Sequence, residues 1–376
     1  MTRILHVVGG LNRGGAETWL VEVLRNIDRE RYSMDFLVHT ANPGAYNREV
    51  QVRGGRIIPC QDPSHPLSYA IEFERILETC GPYAVVDSHV HYYSGYVLML
   101  AALGGVPVRI AHSHIDARAS ETGSGRRRRA YRSLMRSLIR RFATRGLAVS
   151  TEAGDDLFGS GWQRSPKWQL EHLGIDLARF ETAVEKNSVR AELAIDRAAL
   201  VIGHVGRFVP QKNHAFLVDV AREVVRREPR AVFLLIGDGP LRSMIEARVA
   251  GYSLEKHFVF AGLRPDVPRL MKGAMDLFLF PSHYEGLPLT LLEAQAAGIQ
   301  SIASDAVSRE ADVVDGLIVR ESLGAPTSRW AERVLKHLGG AAPLPFCVTS
   351  PQLAGRSIAA SVARLTAAYE TPEHAS

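Results

Sequence analysis

The chain has 376 residues, 46% of them hydrophobic and 23% charged; it is long for one domain, comfortable for two, and nothing in this balance argues for disorder. Its net charge of +5 is local: nine arginines and no acid lie between Arg126 and Arg145, and removing them from the 45 Lys and Arg leaves 36 against 40 Asp and Glu. No apolar run reaches membrane-spanning length, MTRILHVVGG enters a strand rather than a signal peptide, and Cys60, Cys80 and Cys347 lack CxxC spacing, so an intracellular protein without disulfides or a cysteine zinc site is expected.

Ile4–Val8 reads as a short apolar strand, and GGLNRGGAE leads from it into a helix over Glu17–Asn26. This is not GxGxxG, and Gly15 stands where a phosphate-binding P-loop needs Lys. The glycines still predict a backbone that turns tightly and comes close to something, against the plainer alternative of a strand-to-helix turn with no ligand. Strands follow at Met34–Val38 and Arg56–Ile58, then a helix near Tyr69–Thr79 and a strand at Ala84–Asp87. Strands alternating with helices at this spacing predict a parallel, doubly wound sheet, whose ligands lie at the carboxyl ends of its strands. His89 and His91 sit at one such end, and His112 and His114 at the end of the next strand, Val106–Ala111. Histidines two apart can suggest a metal, but no compact Asp, Glu or Cys set accompanies them in the sequence, so none is expected.

Arg126–Arg145 carries Tyr131, Leu134, Met135, Leu138, Ile139 and Phe142 at helical spacing with arginines elsewhere. It reads either as a core-packing helix with a basic outer face or as a surface that meets anionic membrane. Nucleic acid is the weaker alternative, since the segment has only two aromatic residues and no RNA-binding motif. A strand at Leu147–Ser150, a helix around Glu152–Phe158, and LGIDLARF over Leu173–Phe180 lead to a polar linker, Glu181–Arg197, with an early helix.

The second half restarts with Ala199–Val205 and GRFVPQKN, placing Arg207 and Lys212 five apart between a strand end and a helix beginning near Asn213. AVFLLIGDGPLR reads as strand, Gly-Asp-Gly turn and helix, and HFVFAGLRPDVPRLM follows. FLFPSHYEGLPLTLLEAQAA then reads as a strand from Met275 to Phe280, a turn to Gly286, and a helix opening with Pro288 and stopping at Gly298. Glu285 at the mouth of that turn and Glu293 about two helical turns on present two carboxylates to one cleft. The amides of Gly286, Leu287 and Leu289 form a positive helix terminus suited to an anion such as a diphosphate. SIASDA, Ser301–Ala306, reads as the last core strand.

EGLPLTLLE behind a strand ending in FPS, with Arg207 and Lys212 five apart and the Gly-rich first loop, resembles the retaining glycosyltransferases of family four, which have the GT-B fold, and among them the polysaccharide-biosynthesis transferases. The resemblance runs from residue 4 to about residue 315, with Leu173 and Gln300 standing where many relatives have Asn and Pro. It implies two Rossmann-like domains facing across a cleft: an acceptor domain over residues 1–180, a linker over 181–198, a nucleotide-sugar domain over 199–350, and a C-terminal helix within 351–376 that crosses back to the first domain.

The activity implied is transfer of a sugar, with retention of configuration and without a metal or other cofactor, from a UDP- or GDP-sugar to an unknown sugar, lipid-linked or small-molecule acceptor. By the same resemblance Gly14 and Gly15 approach the donor diphosphate, and Arg207 and Lys212 bind it. Glu285 sits near the transferred sugar, Gly286 and Leu287 bind the donor, Glu293 binds the ribose, and the backbone of Gly262, Leu263 and Arg264 reads the base. A histidine ending the first domain's strand contacts the donor sugar; the register leaves both His112 and His114 open, with His114 favoured. The alternatives are a nucleotide-sugar 2-epimerase of the same fold, which would convert donor without acceptor, and a non-catalytic nucleotide-sugar-binding protein. No nucleic-acid partner is expected, and the expected location is cytoplasmic, with the Arg126–Arg145 face on the membrane's inner surface.

Overall fold

A computed structural model describes residues 1–60, 63–114, 125–338 and 350–370; Cys347 lies outside these. The chain divides into two compact units, Met1–Gly174 together with the segment from Ile358, and Ile175–Ser357.

In the first unit the strands are β1 (Thr2–Val8), β2 (Tyr32–Val38), β3 (Ile57–Pro59), β4 (Val85–Ser88), β5 (Val108–Ser113), β6 (Arg145–Ala148) and β7 (Trp168–Leu170). They form one parallel sheet in the order β3-β2-β1-β4-β5-β6-β7. Strands of such a sheet are covered on both faces and therefore read as nearly continuous apolar runs; Ile4, Leu5 and Val7 are fully buried, as are Val85 and Val86. Strand order reverses between β1 and β4, which opens a crevice at their carboxyl ends.

The second unit repeats the plan with β8 (Leu200–Val205), β9 (Ala231–Ile236), β10 (Phe258–Gly262), β11 (Leu277–Phe280), β12 (Ser301–Ser304) and β13 (Ile318–Glu321), ordered β10-β9-β8-β11-β12-β13. All its pairings are parallel, and the order reverses between β8 and β11.

Several expectations need correction. β12 is not the last core strand: β13 pairs with it from Ser301–Ile318 to Ser304–Glu321. The polar stretch expected as a linker holds the helix Lys186–Glu192, which packs on the helix Val267–Ala274 inside the second unit. Its Arg190 is buried and binds Asp276 at 2.6 Å, so the stretch is part of that unit's body rather than a tether. Pro288 caps rather than opens the helix Leu289–Ala296. His112 lies inside β5, which runs two residues further than the sequence suggested.

The C-terminal helix, Ile358–Tyr369, belongs to the first unit. Ser361 Oγ accepts a hydrogen bond from Trp19 Nε1 at 3.0 Å, Arg364 Nε pairs with Glu171 at 3.0 Å, and Arg145 donates to the carbonyls of Ala367 and Glu370 at 3.1 and 2.8 Å. Leu365, Ala368 and Tyr369 are buried there.

Candidate functional site

In the second unit the expected residues gather at the reversal between β8 and β11. Past β8 the chain makes a short turn, Pro210–Lys212, and Asn213 takes a left-handed φ of 54° before the helix His214–Val225. That turn aims Lys212 across at the loop after β11, where its Nζ lies 2.7 Å from Glu285 Oε1 and 4.8 Å from the centre of the Phe280 ring. Gln211 ties the two loops together, donating to Tyr284 O at 2.9 Å and Glu285 Oε2 at 3.1 Å, while its carbonyl accepts from His283 N at 2.9 Å. The Lys212 and Glu285 side chains are only 15% and 9% exposed, so their charges meet in a partly dry place. Arg207 is exposed and has no side-chain partner among the described residues.

Beside this pair three strand ends are laced by backbone alone. Gly206 N donates to Ile236 O, Phe208 N to Asp238 O, and Gly237 N to Gly262 O, each at 2.9–3.0 Å. Gly237 has φ 138°, and a Cβ there would collide with the Gly206 carbonyl, which is why the Gly-Asp-Gly turn carries no side chain at that point. Gly262 is left-handed at 65°, and Leu263 is 53% exposed. The Arg264 side chain is committed to Glu192 at 2.7 Å and Asp266 at 2.8 Å, leaving its backbone as the part available to a ligand. Among the described residues the amides of Gly286, Leu287 and Leu289 donate to no backbone acceptor, as expected of a helix start. Glu293 is half-buried on that helix.

In the first unit Gly14 caps the helix Gly15–Asn26 with an extended backbone, φ −122°, and neither it nor Gly15 is left-handed. The chain does turn tightly just before the helix, Gly14 N donating to Asn12 O at 2.9 Å, and the Glu17 carboxylate lies where a Cβ on Gly14 would stand, whereas a Cβ on Gly15 would meet nothing within 4 Å.

The histidines form something the sequence did not disclose. Register pairs His6 with Asp87 and Ser88 with Ala111, and side chains two apart share a face, so His6, Asp87, His89, His112 and His114 all project to one side of the sheet. His6 Nδ1 is 3.0 Å from His89 Nε2, and His89 Nδ1 is 2.7 Å from His114 Nε2. Trp19 packs edge-on to His112 at 5.3 Å, and the Tyr369 hydroxyl donates to Asp87 Oδ2 at 3.4 Å. His91 is absent from the group; its Nε2 lies 3.3 Å from Asp156. Burial lowers His6 to about 4 and His112 to about 3, and raises Asp87 to about 7. A compact carboxylate-bearing set thus does accompany the paired histidines, contrary to the sequence reading. It escaped notice because His6 and Asp87 are 81 positions apart.

A second buried imidazole pair backs Lys212. His204 in β8 bonds the Leu279 carbonyl at 2.8 Å through Nδ1, and His214 stacks on Phe208 at 4.0 Å with neither ring nitrogen paired among the described residues. The only sequence signal was a histidine inside an apolar run, VIGHV, matching ILHVV in β1. Burial holds His204 well below its ordinary 6.5 and lowers His214 to about 4, with Lys212 adding to both shifts. The unfolded chain therefore takes up protons first as pH falls through 6.5, and the stability present above 6.5 is lost toward 4. The unfolding midpoint should fall between pH 7 and pH 5, and His214→Phe should raise it more at pH 5 than at pH 8. Equal shifts at the two pH values would refute this account.

Comparisons with known proteins place both halves. Residues 14–167 match the family described as "Glycosyl transferase 4-like domain", and residues 185–322 the one described as "Glycosyl transferases group 1". The chain is 37% identical over 347 residues to "Putative glycosyltransferase EpsF" of Bacillus subtilis (strain 168), covering 91% of this chain and 89% of that one. It is 35% identical over 136 residues, 35% of each chain, to the Escherichia coli "UDP-Gal:alpha-D-GlcNAc-diphosphoundecaprenol alpha-1,3-galactosyltransferase". Among solved structures, Anabaena Alr3699/HepE in complex with UDP and glucose aligns over 98% of both chains with a TM-score of 0.80 at 18% identity.

Proposed function

Since the chain belongs to the group 1, family-four-like glycosyltransferases of GT-B fold and moves a sugar from a nucleotide-sugar donor, we propose that it does so with retention of configuration, without a metal, from a UDP-sugar onto a lipid-linked acceptor. The observation that carries the site assignment is the Lys212–Glu285 pair at 2.7 Å, which puts a cation and a carboxylate at one point of the second sheet's reversal.

In this reading the diphosphate competes with Glu285 for Lys212, and Arg207 approaches it from the exposed side. Charge on the leaving diphosphate grows as the sugar departs, so cations and helix-start amides fixed beforehand stabilise the transition state more than the ground state. Released from Lys212, Glu285 is free to hydrogen-bond the hydroxyls of the transferred sugar, and Glu293 takes the ribose. The backbone from Gly262 to Arg264 receives the base, and Gly286 and Leu287 offer amides. By the family's pattern, Gly14 and Gly15 of the first unit are assigned to the diphosphate and His114 or His112 to the sugar. The choice of UDP rests on the relatives named with it, HepE and the Escherichia coli galactosyltransferase. The test is transfer from UDP- and GDP-sugars in EDTA, beside thermal shift with each donor; a ligand at about a hundredfold its dissociation constant adds nearly 3 kcal/mol of stability. Turnover with UDP-sugar should survive chelation. A restorable requirement for Mg²⁺ would overturn the metal-free reading, and donor conversion without acceptor would favour the epimerase.

The lipid-linked acceptor draws on the helix Arg126–Phe142. Only Met135 and Ile139 of its apolar stripe are buried; Leu138 and Phe142 lean on the core, while Tyr131 and Leu134 stay 43% and 56% exposed among exposed arginines. No helix among the described residues is long and apolar enough to cross a membrane. A basic segment near an anionic surface gains roughly 1 kcal/mol per Lys or Arg, so four engaged arginines suffice for reversible docking. The protein should sediment with phosphatidylglycerol vesicles, release at high salt, and bind less with Arg126–Arg129 changed to Ser. Remaining in the supernatant at low salt would favour an acceptor free in solution.

A further inference from the structure

The histidine group of the first unit holds more nitrogen donors than a sugar contact uses. His89, His112 and His114 each offer a ring nitrogen, and the three atoms lie within 4.8 Å of one another. Two of the rings come from one strand, two residues apart and stacked at 4.3 Å; the third comes from the neighbouring strand's end, 4.9 and 5.0 Å from them between centroids. Among the described residues, both nitrogens of His112, which is fully buried, and Nδ1 of His114 have no hydrogen-bond partner. An unmatched buried polar atom costs about 1–3 kcal/mol, and several gathered at one point indicate a use beyond packing.

The surroundings are those of a ligand set. Asp87 Oδ1 lies 3.5 Å from His89 Nε2 and 3.7 Å from His112 Nδ1, behind the two rings. His6 Nδ1 lies 3.0 Å from the same His89 nitrogen. A carboxylate behind an imidazole fixes the tautomer and orients the far nitrogen, the usual support for a metal-binding histidine. That leaves His89 Nδ1 and His114 Nε2, already 2.7 Å apart, with His112 Nε2, which has no partner among the described residues, as the third nitrogen.

We propose that these three nitrogens bind one divalent cation of the zinc class, with Asp87 and His6 supporting them from behind. Three imidazoles favour Zn²⁺, Co²⁺, Ni²⁺ or Cu²⁺ over Mg²⁺ or Ca²⁺, which take oxygen ligands. Tetrahedral ligands at about 2.0–2.1 Å from zinc stand about 3.3 Å apart. The His89–His114 contact of 2.7 Å must open slightly and the widest pair, at most 4.8 Å apart, close by up to about 1.5 Å, which ring rotations supply. The cation is an inhibitor rather than a cofactor, because it engages His114; this consequence alone rests on the sugar-contact reading above.

The full-length protein, freed of metal by EDTA and desalted, should be titrated with Co²⁺, whose visible absorption reports four-coordination. One Co²⁺ per chain should bind, zinc should displace it, and the absorption should vanish in His112→Phe and in the half-buried His114→Ala, with circular dichroism confirming that each is folded. His65→Ala, at an exposed site, should leave it intact. Absent absorption, or absorption surviving both substitutions, overturns the site. Saturating Zn²⁺ should slow transfer and EDTA restore it. If cobalt binds as expected but zinc leaves transfer unchanged, the site stands and the assignment of His114 to the sugar fails. If His114→Ala impairs transfer but cobalt does not bind, the reverse holds.

Discussion

Lys212→Ala should lower kcat by about a hundredfold or more, since it removes a cation aimed at the leaving diphosphate from a largely water-excluded place. The loss should appear in kcat more than in KM, because the charge it answers is greatest in the transition state. The variant also leaves Glu285 without its 2.7 Å partner, so donor binding weakens further through repulsion between that carboxylate and the diphosphate. Lys212→Ala,Glu285→Gln separates the two effects: if repulsion dominates, it recovers part of the donor affinity but little of the turnover. Steady-state kinetics with a UDP-sugar checks both, and unchanged turnover in Lys212→Ala would remove this lysine from the mechanism.

Deleting the chain from Ile358 onward should unfold the first unit and spare the second. Four buried apolar side chains leave with the helix, Ile358, Leu365, Ala368 and Tyr369, and Trp19 loses its 3.0 Å partner, the buried Ser361. At about 1.5–3 kcal/mol for each large apolar side chain, the loss approaches the 5–15 kcal/mol that holds an ordinary domain together. Glu171, only 5% exposed, also keeps its charge without Arg364. Limited proteolysis should digest the first 174 residues and leave a resistant fragment close to Ile175–Ser357. Leu365→Ala, costing about 2–5 kcal/mol, is the milder form of the test. A truncated protein that melts like the full-length chain would show the helix to be peripheral.

What the sequence made legible was local. Glycines and prolines mark both ends of the Leu289–Ala296 helix, and Arg207, Lys212 and Glu285 lie within a few residues of strands whose apolar runs are unmistakable. Even so, that Lys212 and Glu285 touch was not readable, because 73 positions separate them and only the reversal of strand order brings their loops together. β7 and β13 were missed for a different reason: WQL and IVRE are short, partly polar edge strands with no alternation to detect. The glycines at 14 and 15 marked a tight turn and a close approach, but not that the group approaching Gly14 is the carboxylate of Glu17 in the helix they begin. The histidine group depended wholly on parallel register, which no single strand carries.

The C-terminal helix also dictates an order of events during synthesis. The first unit emerges first from the ribosome but lacks its closing element until residues 358–369 have been made, while the second unit is contiguous and can complete its core as soon as Ser357 is clear. For the time taken to translate those intervening residues, Trp19 and the apolar surface around it stay uncovered in the nascent chain, so the earliest-made half is the one with the longest exposure to chaperones and to aggregation.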